Sequence, residues 1–171
     1  PVSAAGSATL SLTSSTNTYT KDTVFSVTIR ANGSSIYGVR TDLKYDPSQL
    51  AFDKITLTQS DFNYPYVHTG ADGTVSIQLV NTGSAVPANA RVADVSFKML
   101  ASSGTTKITI DDATSSLINP SGATVTEQDV WNHQPVSITL NAKAPATPPP
   151  APPTTPPATP PTSPKPSPTP S

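Results

Sequence analysis

The sequence lacks cysteine altogether, and Glu127 is the only glutamate among its 171 residues. Without cysteine the chain has no disulfide framework, no thiolate metal site and no cysteine nucleophile. A glycosidase of the paired-carboxylate kind would have to use two aspartates, and no spacing in the chain indicates such a pair. We therefore predict that the protein is not an enzyme.

Metal-binding motifs are also missing. Neither His68 nor His133 lies in an H-E-x-x-H or H-x-H context. Oxygen ligands of the kind that calcium prefers are available at four aspartates, Asp72, Asp111, Asp112 and Asp129. Because no D-x-[DN]-x-[DN]-G loop surrounds them, we expect these side chains to cap turns instead. The sequence thus predicts neither a metal nor any other cofactor.

Charge and hydropathy limit the partners. Residues 1–141 carry eleven acidic and eight basic side chains and no basic stripe suited to a phosphate backbone, so no nucleic-acid partner is expected. No apolar run has the length that a membrane span requires. The chain starts at Pro1 without a signal peptide, so we interpret it as a processed product or a fragment whose anchor lies outside it.

Proline divides the chain into two parts. Of the 20 prolines, fourteen lie between Pro145 and Pro170. Residues 142–171 have too little apolar area to form a core, so we predict a disordered tail that favours extended polyproline II. At about 3.1 Å per residue, the stretch from Pro145 onward reaches roughly 80 Å. We therefore predict a folded domain, 1–141, followed by a linker, 142–171.

Apolar residues alternate with polar ones throughout the first part of the chain, which predicts β-strands. Phe25, Val27 and Ile29 are one example. About nine short strands result, the last two near residues 123–125 and 136–140, and turn-forming residues separate them. No segment of useful length has the helical period. This pattern predicts an all-β, antiparallel jelly-roll sandwich with one shared core.

The segment GVRTDLKYDPSQL, which begins at Gly38, ends a strand at a sharp corner. Pro47 fixes its own φ angle and pushes Asp46 out of the helical region. Alternation along the strand points Tyr45 inward, and the short acidic side chain of Asp46 is expected to bond to nearby turn amides. The corner is therefore predicted to be structural.

This segment resembles the G-x-x-x-x-L-x-Y-D-P-x-x-L pattern of bacterial cohesin modules and their carbohydrate-binding-module relatives. Other similar stretches follow in the same order as in those modules, at residues 23–29, 73–77 and 93–98. The resemblance covers about residues 7–141. It implies an extracellular β-sandwich of the jelly-roll type that binds partners and has no catalytic activity.

The resemblance also implies a binding face. Alternation places three charged side chains on the outer side of one strand, Arg40, Asp42 and Lys44. This row, together with Ser76, Gln78 and Val80 of a neighbouring strand, resembles the surface with which cohesins grip a dockerin. Many dockerin-binding cohesins have Asn and Asp at the positions of Gly38 and Arg40; here both acceptors are absent, and one is replaced by a cation. The alternative is a solvated sheet face whose charges serve solubility.

Tyr64, Tyr66 and His68 form a candidate sugar-binding site. In an extended segment they share one face at two-residue spacing, where flat rings can stack on pyranose rings. Alternatively, the two tyrosines pack over the rim of the sandwich and Pro65 stiffens an edge strand. Trp131, the only tryptophan, precedes the last strand, and we expect it to plug the end of the sandwich.

Three functions remain open for this cell-surface or secreted bacterial module. The first is attachment to a protein partner, dockerin-like or another surface protein, through the charged sheet face. The second is polysaccharide binding through the aromatic row. The third is a structural role in a surface filament or stalk, with self-association through sheet edges or the tail.

Overall fold

The computed structural model of the chain describes residues 6–121, 126–155 and 158. Within these ranges the chain contains twelve strands and no helix, which confirms the predicted all-β class. The strands are β1 (Thr9–Ser14), β2 (Thr18–Thr20), β3 (Val24–Asn32), β4 (Gly38–Tyr45), β5 (Leu50–Thr56), β6 (Tyr64–Ala71), β7 (Thr74–Val80), β8 (Ala90–Met99), β9 (Thr105–Ile110), β10 (Ser116–Ser121), β11 (Thr126–Asp129) and β12 (Ser137–Lys143). The strand predicted at 123–125 lies outside the described residues.

The prediction of about nine strands missed β2, β6, β10 and β11. β2 has only three residues, and β11, with the sequence TEQD, contains no apolar residue. β6 is exposed along nearly all of its length. Apolar alternation reveals a strand only when several residues of one face are buried. Among the described residues, β2 and β10 each bury a single large side chain, Tyr19 and Leu117, so the alternation is too short to show there.

The strands form two sheets that pack face to face. The smaller sheet has four strands in the order β1-β3-β8-β5. In the larger sheet β4 is central, with β7 and then the edge strand β6 on one side. On its other side, the first part of β4 pairs with β10 and the last part pairs with β9. The strand pairs are antiparallel except β12 with β2, so the predicted antiparallel sandwich is confirmed with one parallel pair among the described strands.

The core lies between the two sheets, where the inward residues of β3, β4, β7 and β8 meet. Phe97 on β8 is completely buried and contacts three other rings. The ring centroid of Tyr45 lies 5.1 Å away, that of Phe25 6.2 Å away and that of Phe52 6.5 Å away. Residues from both sheets therefore share one core, as the alternation predicted.

The corner after β4 has the predicted structure. Tyr45 is buried, and its hydroxyl donates a hydrogen bond to the carbonyl oxygen of Ala71 over 2.8 Å. The Asp46 carboxylate accepts hydrogen bonds from the Ser48 hydroxyl at 2.6 Å and from the Ser48 amide at 2.9 Å. These bonds, with that from Gln49, lower the pKa of Asp46 because they stabilise its charged form.

The folded region extends to Lys143, beyond the predicted end at 141. Ala142 and Lys143 pair with β2, and the Lys21 amide donates a hydrogen bond to the Lys143 carbonyl over 2.8 Å. Residues 144–155 belong to no strand and are exposed. Trp131 is almost completely buried beside Ala8, as expected for a residue that closes the sandwich.

Candidate functional site

The outer face of β4 and β7 brings together all six residues of the predicted protein-binding face, Arg40, Asp42, Lys44, Ser76, Gln78 and Val80. The antiparallel register places Arg40 directly opposite Gln78 and Asp42 directly opposite Ser76. Opposed residues of an antiparallel pair project from the same side of the sheet. On each strand the residues that alternate with these six are buried in the core, so the side chains of the six residues point away from the core. We call this surface the β4–β7 face.

The two cations of the β4–β7 face differ in how they are already paired. The Lys44 ammonium donates a hydrogen bond to the Thr74 hydroxyl over 3.1 Å and lies 3.8 Å from the Asp111 carboxylate. Arg40 is exposed, and it forms no ion pair with any residue that the structure describes. Arg40 is therefore the cation of this face that is available to a partner.

The backbone beneath these charges is held on both sides. The Asp42 amide donates a hydrogen bond to the Ser115 hydroxyl over 3.1 Å, and the Asp42 carbonyl accepts one from the Asp111 amide over 2.8 Å. These bonds lie in the interval between the part of β4 that pairs with β10 and the part that pairs with β9. The middle of β4 is thus hydrogen-bonded even where it pairs with neither β9 nor β10, which keeps Arg40 and Asp42 on the outer face.

An apolar groove adjoins one end of the β4–β7 face. It has a volume of about 520 Å³, and its apolar lining includes Tyr37, Val80 and Ile118. Gln78 lines this groove and also the shallow depression that contains Arg40 and Asp42. The charged surface therefore adjoins the apolar surface directly. Protein interfaces have the same arrangement, an apolar centre with a polar rim.

The predicted sharing of one face by Tyr64, Tyr66 and His68 is wrong. A β-bulge interrupts the pairing of β6 with β7 between Pro65 and Val67, so that Tyr66 has no partner residue. As a result Tyr64 lies opposite Val80 on the outer face, whereas His68 lies opposite Ile77, whose side chain is in the core. A bulge adds one residue to one strand and thereby exchanges the two faces beyond it.

The two tyrosines belong instead to the neighbourhood of the β4–β7 face. Tyr64 is 55% exposed and Tyr66 is 69% exposed, and both line a groove with Gln78 and Val80. Pro65 was the signal that could have revealed the bulge, because proline within a strand is confined to edges and bulges. The role of Tyr64 and Tyr66 in binding a sugar or a protein stays a prediction.

Three of the four aspartates that were candidates for calcium have structural partners. Asp111 accepts a hydrogen bond from the Ala113 amide, and one Asp129 oxygen accepts from the amides of both Leu117 and Trp131. These contacts bear out the expected turn capping for Asp111 and Asp129, whereas Asp112 contacts the ring of His133 and Asp72 forms no side-chain hydrogen bond with the described residues. Within residues 6–121, 126–155 and 158, no group of three His, Cys, Asp or Glu side chains is arranged to hold a metal ion. Nor does this part of the chain contain a helix long and apolar enough to cross a membrane.

His133 lies between two carboxylates that raise its pKa. Its Nδ1 lies 2.7 Å from Asp112 and its Nε2 lies 3.1 Å from Asp129. The hydrogen bond to Asp112 raises the pKa of His133 above its usual value of 6.5, and Asp129 adds to this effect through its charge. Its φ angle of 54° is in the left-handed region, and its ring packs against Trp131 with centroids 4.6 Å apart.

A raised pKa means that the imidazole of His133 binds its second proton more tightly in the folded protein than in the unfolded chain. Protonated His133 should therefore stabilise the fold most at low pH. The contribution is fully present below the unfolded pKa, and it is lost as the pH rises through the raised pKa of the folded state. The melting temperature of the wild-type protein should therefore decrease between about pH 5.5 and pH 8.5, and we expect a smaller decrease in the His133→Asn protein. Asn is chosen because it tolerates left-handed backbone. Equal pH profiles for the two proteins would contradict this assignment.

The fold and the surface define an all-β sandwich with one open sheet face that joins charged to apolar area. A family model for the cohesin domain matches residues 8–138, and the chain belongs to the cohesin family. Cohesins are non-catalytic binding modules. No curated protein sequence matches the chain.

Three cohesin structures share this fold at low sequence identity. The cohesin module of a family 33 glycoside hydrolase from Clostridium perfringens has a TM-score of 0.64 at 11% identity, over 80% of this chain and 97% of that one. CaCohA2 from Clostridium acetobutylicum has a TM-score of 0.59 at 16% identity, over 80% and 90%. The sixth cohesin of scaffoldin B from Acetivibrio cellulolyticus, solved in complex with a Cel5 dockerin mutant, has a TM-score of 0.59 at 14% identity, over 79% and 98%.

Proposed function

We propose that this chain is an extracellular attachment module that binds a dockerin-like protein through the β4–β7 face and has no catalytic role. Membership of the cohesin family supports protein binding, and the Acetivibrio relative is described in complex with a dockerin. The observation that carries the proposal is the register of β4 with β7, which places Arg40 and Asp42 opposite Gln78 and Ser76 on one uncovered surface.

The chemistry of this face indicates what the partner presents. Arg40 is a cation without an ion-pair partner among the described residues, at a position where many cohesins have an acceptor. The matching surface of the partner therefore carries a carboxylate opposite Arg40 and apolar side chains over the groove beside Val80. Charges across an interface contribute mainly to specificity and to the rate of association, whereas buried apolar contacts supply most of the affinity.

Charge reversal at Arg40 tests this function. We expect Arg40→Glu to weaken the binding of a cognate dockerin by about tenfold or more, because it places like charges against each other. Binding is measured by titration calorimetry against dockerin modules produced from the same organism. The matched control is Lys107→Glu, which reverses an exposed lysine on β9 outside the β4–β7 face.

Both variants should melt at nearly the temperature of the wild-type protein, because charges at exposed positions contribute little to stability. If Arg40→Glu and Lys107→Glu bind the dockerin equally well, the β4–β7 face is not the binding surface. If no dockerin binds the wild-type chain, the proposed partner class is wrong.

The proline-rich segment fits a spacer in this proposal. Residues 142–171 contain the fourteen clustered prolines, and β12 ends close to where they begin. An extended proline-rich linker holds a binding module away from the surface to which it is attached. We therefore place the module outside the cell, where large assemblies require such reach.

Polysaccharide binding remains a second candidate because Tyr64 and Tyr66 are among the few large apolar side chains that are strongly exposed. Such rings stack on sugars, but they are equally common at the centre of protein interfaces. Their position in a groove with Gln78 and Val80 favours the protein partner, since one surface then uses both the charges and the rings.

A further inference from the structure

A second groove lies on the opposite side of the sandwich, on the outer face of the four-stranded sheet. Its volume is about 580 Å³, which is within the range of ligand-binding clefts. Seven of the ten lining residues are serine or threonine, and the other three are Lys54, Arg91 and Asp94. No apolar side chain lines it, in contrast to the groove beside Val80. We call it the hydroxyl groove.

A β-bulge in β8 turns Arg91 into the hydroxyl groove. Ile29 pairs with Ala93 and Arg30 pairs with Arg91, so Val92 is the additional residue and its side chain is buried. In a regular strand, residues 91 and 94 would project from opposite faces. Here the Arg91 guanidinium reaches Asp94 and donates to both carboxylate oxygens, at 2.7 and 2.8 Å.

A second bulge, in β5, delivers Lys54 to the same groove. Phe52 pairs with the buried Phe97, yet Lys54, two residues later, pairs with Ser96 on the outer face. Asp53 is the additional residue that makes this change of face possible. Bulges redirect individual side chains and are frequent beside functional sites. Two bulges in two strands thus direct both cations into one groove.

The side chains of the hydroxyl groove are held in place before any ligand arrives. The hydroxyl oxygens of Ser26 and Ser96 lie 2.8 Å apart, and the Thr28 hydroxyl donates a hydrogen bond to Asp94 over 2.6 Å. A hydroxyl that forms one such bond keeps further capacity to donate or accept. Fixed polar groups reduce the entropy cost of binding, so this network is suited to a polar ligand.

The groove has an unbalanced positive charge. Asp94 is already neutralised by its two bonds to Arg91, whereas Lys54 forms no ion pair with the residues that the structure describes. The Nε of Arg91 is buried and has no hydrogen-bond partner in that part of the chain, so it keeps a donor that a ligand could satisfy.

We propose that the hydroxyl groove binds an acidic polysaccharide, with Lys54 on a sugar carboxylate and the serine and threonine hydroxyls on the sugar hydroxyls. Hydroxyl-rich chains match a lining that offers many donors and acceptors and no apolar anchor. A peptide is disfavoured because peptide interfaces rely on apolar or aromatic anchors, which this groove lacks. The groove and the β4–β7 face lie on opposite sheets, so the protein could hold both ligands at once.

The test uses the full chain and three defined probes in titration calorimetry: polygalacturonate, its fully methyl-esterified form and poly-L-glutamate. We expect binding to polygalacturonate that weakens with ionic strength, with at least about tenfold weaker binding of the neutral ester. Lys54→Gln should lose about tenfold or more in affinity for polygalacturonate, and Lys54→Arg should retain it. Lys107→Gln, which removes an exposed lysine on the other sheet, is the matched control.

The melting temperatures of these variants establish that they are folded, as expected for substitutions at exposed lysines. Absence of binding to polygalacturonate overturns the proposal. So does equal binding of poly-L-glutamate, which indicates attraction to any polyanion, or equal loss in the Lys54→Gln and Lys107→Gln proteins. Unchanged affinity in the Arg40→Glu protein supports a site separate from the dockerin surface.

Discussion

Replacing Phe97 by alanine is expected to lower the free energy of unfolding by about 3–5 kcal/mol. The side chain is completely buried and contacts the rings of Phe25, Tyr45 and Phe52. Its loss removes apolar area from the core and leaves a cavity that strands from two sheets cannot close without moving. Because domains of this size have a total stability of about 5–15 kcal/mol, this is a large fraction.

Denaturant unfolding, followed by circular dichroism, measures the effect. Tyr66→Ala is the matched control, because it also truncates an aromatic residue but one that is 69% exposed. We expect that control to unfold at nearly the denaturant concentration of the wild-type protein. A loss below about 1 kcal/mol for Phe97→Ala would mean that the two sheets do not share the tight core described above.

Replacing Tyr64 and Tyr66 together by alanine is expected to weaken dockerin binding by about 30-fold or more, with little change in melting temperature. The rings border Gln78 and Val80, at the apolar end of the β4–β7 face. Aromatic residues in such positions often contribute about 2 kcal/mol or more each to an interface. Their high exposure explains why the fold does not depend on them.

The matched control replaces both tyrosines by phenylalanine, which keeps the rings and should retain most of the affinity. Titration of all three proteins against the dockerin and against a neutral polysaccharide separates the two functions. If the alanine variant binds the dockerin like the wild-type protein but loses the polysaccharide, the rings form a sugar platform and the dockerin site is confined to the charges around Arg40.

The sequence predicted the charged part of the candidate site well because that part depends only on local geometry. Alternation along β4 is regular, so Arg40 and Asp42 project outward wherever the strand lies. The corner at Asp46 was predictable for the same reason, since its hydrogen bonds reach only two or three residues along the chain. Features encoded within a few residues follow from backbone sterics and side-chain chemistry alone.

The errors arise where two strands meet. His68 lies on the other face from Tyr64 because β6 accommodates an extra residue against β7. Lys54, whose face the sequence did not predict, reaches the outer face because β5 accommodates one against β8. A bulge is a property of a pair of strands, so the spacing within one strand does not reveal it. The same limitation hid the hydroxyl groove, whose cations reach one place only through two separate bulges.

The sequence by itself determined the all-β class, the outward row on β4, the corner at Asp46 and the proline-rich composition of residues 142–171, because period-two alternation and proline chemistry act locally. The tertiary structure decided which strands became neighbours, and therefore that Arg40 faces Gln78 and that Tyr64 lies beside Val80. It also decided which cation stays unpaired, because Asp111 reaches Lys44 only after β9 packs beside β4. Such contacts join residues far apart in the chain, and only the packing of two sheets around one core brings them together.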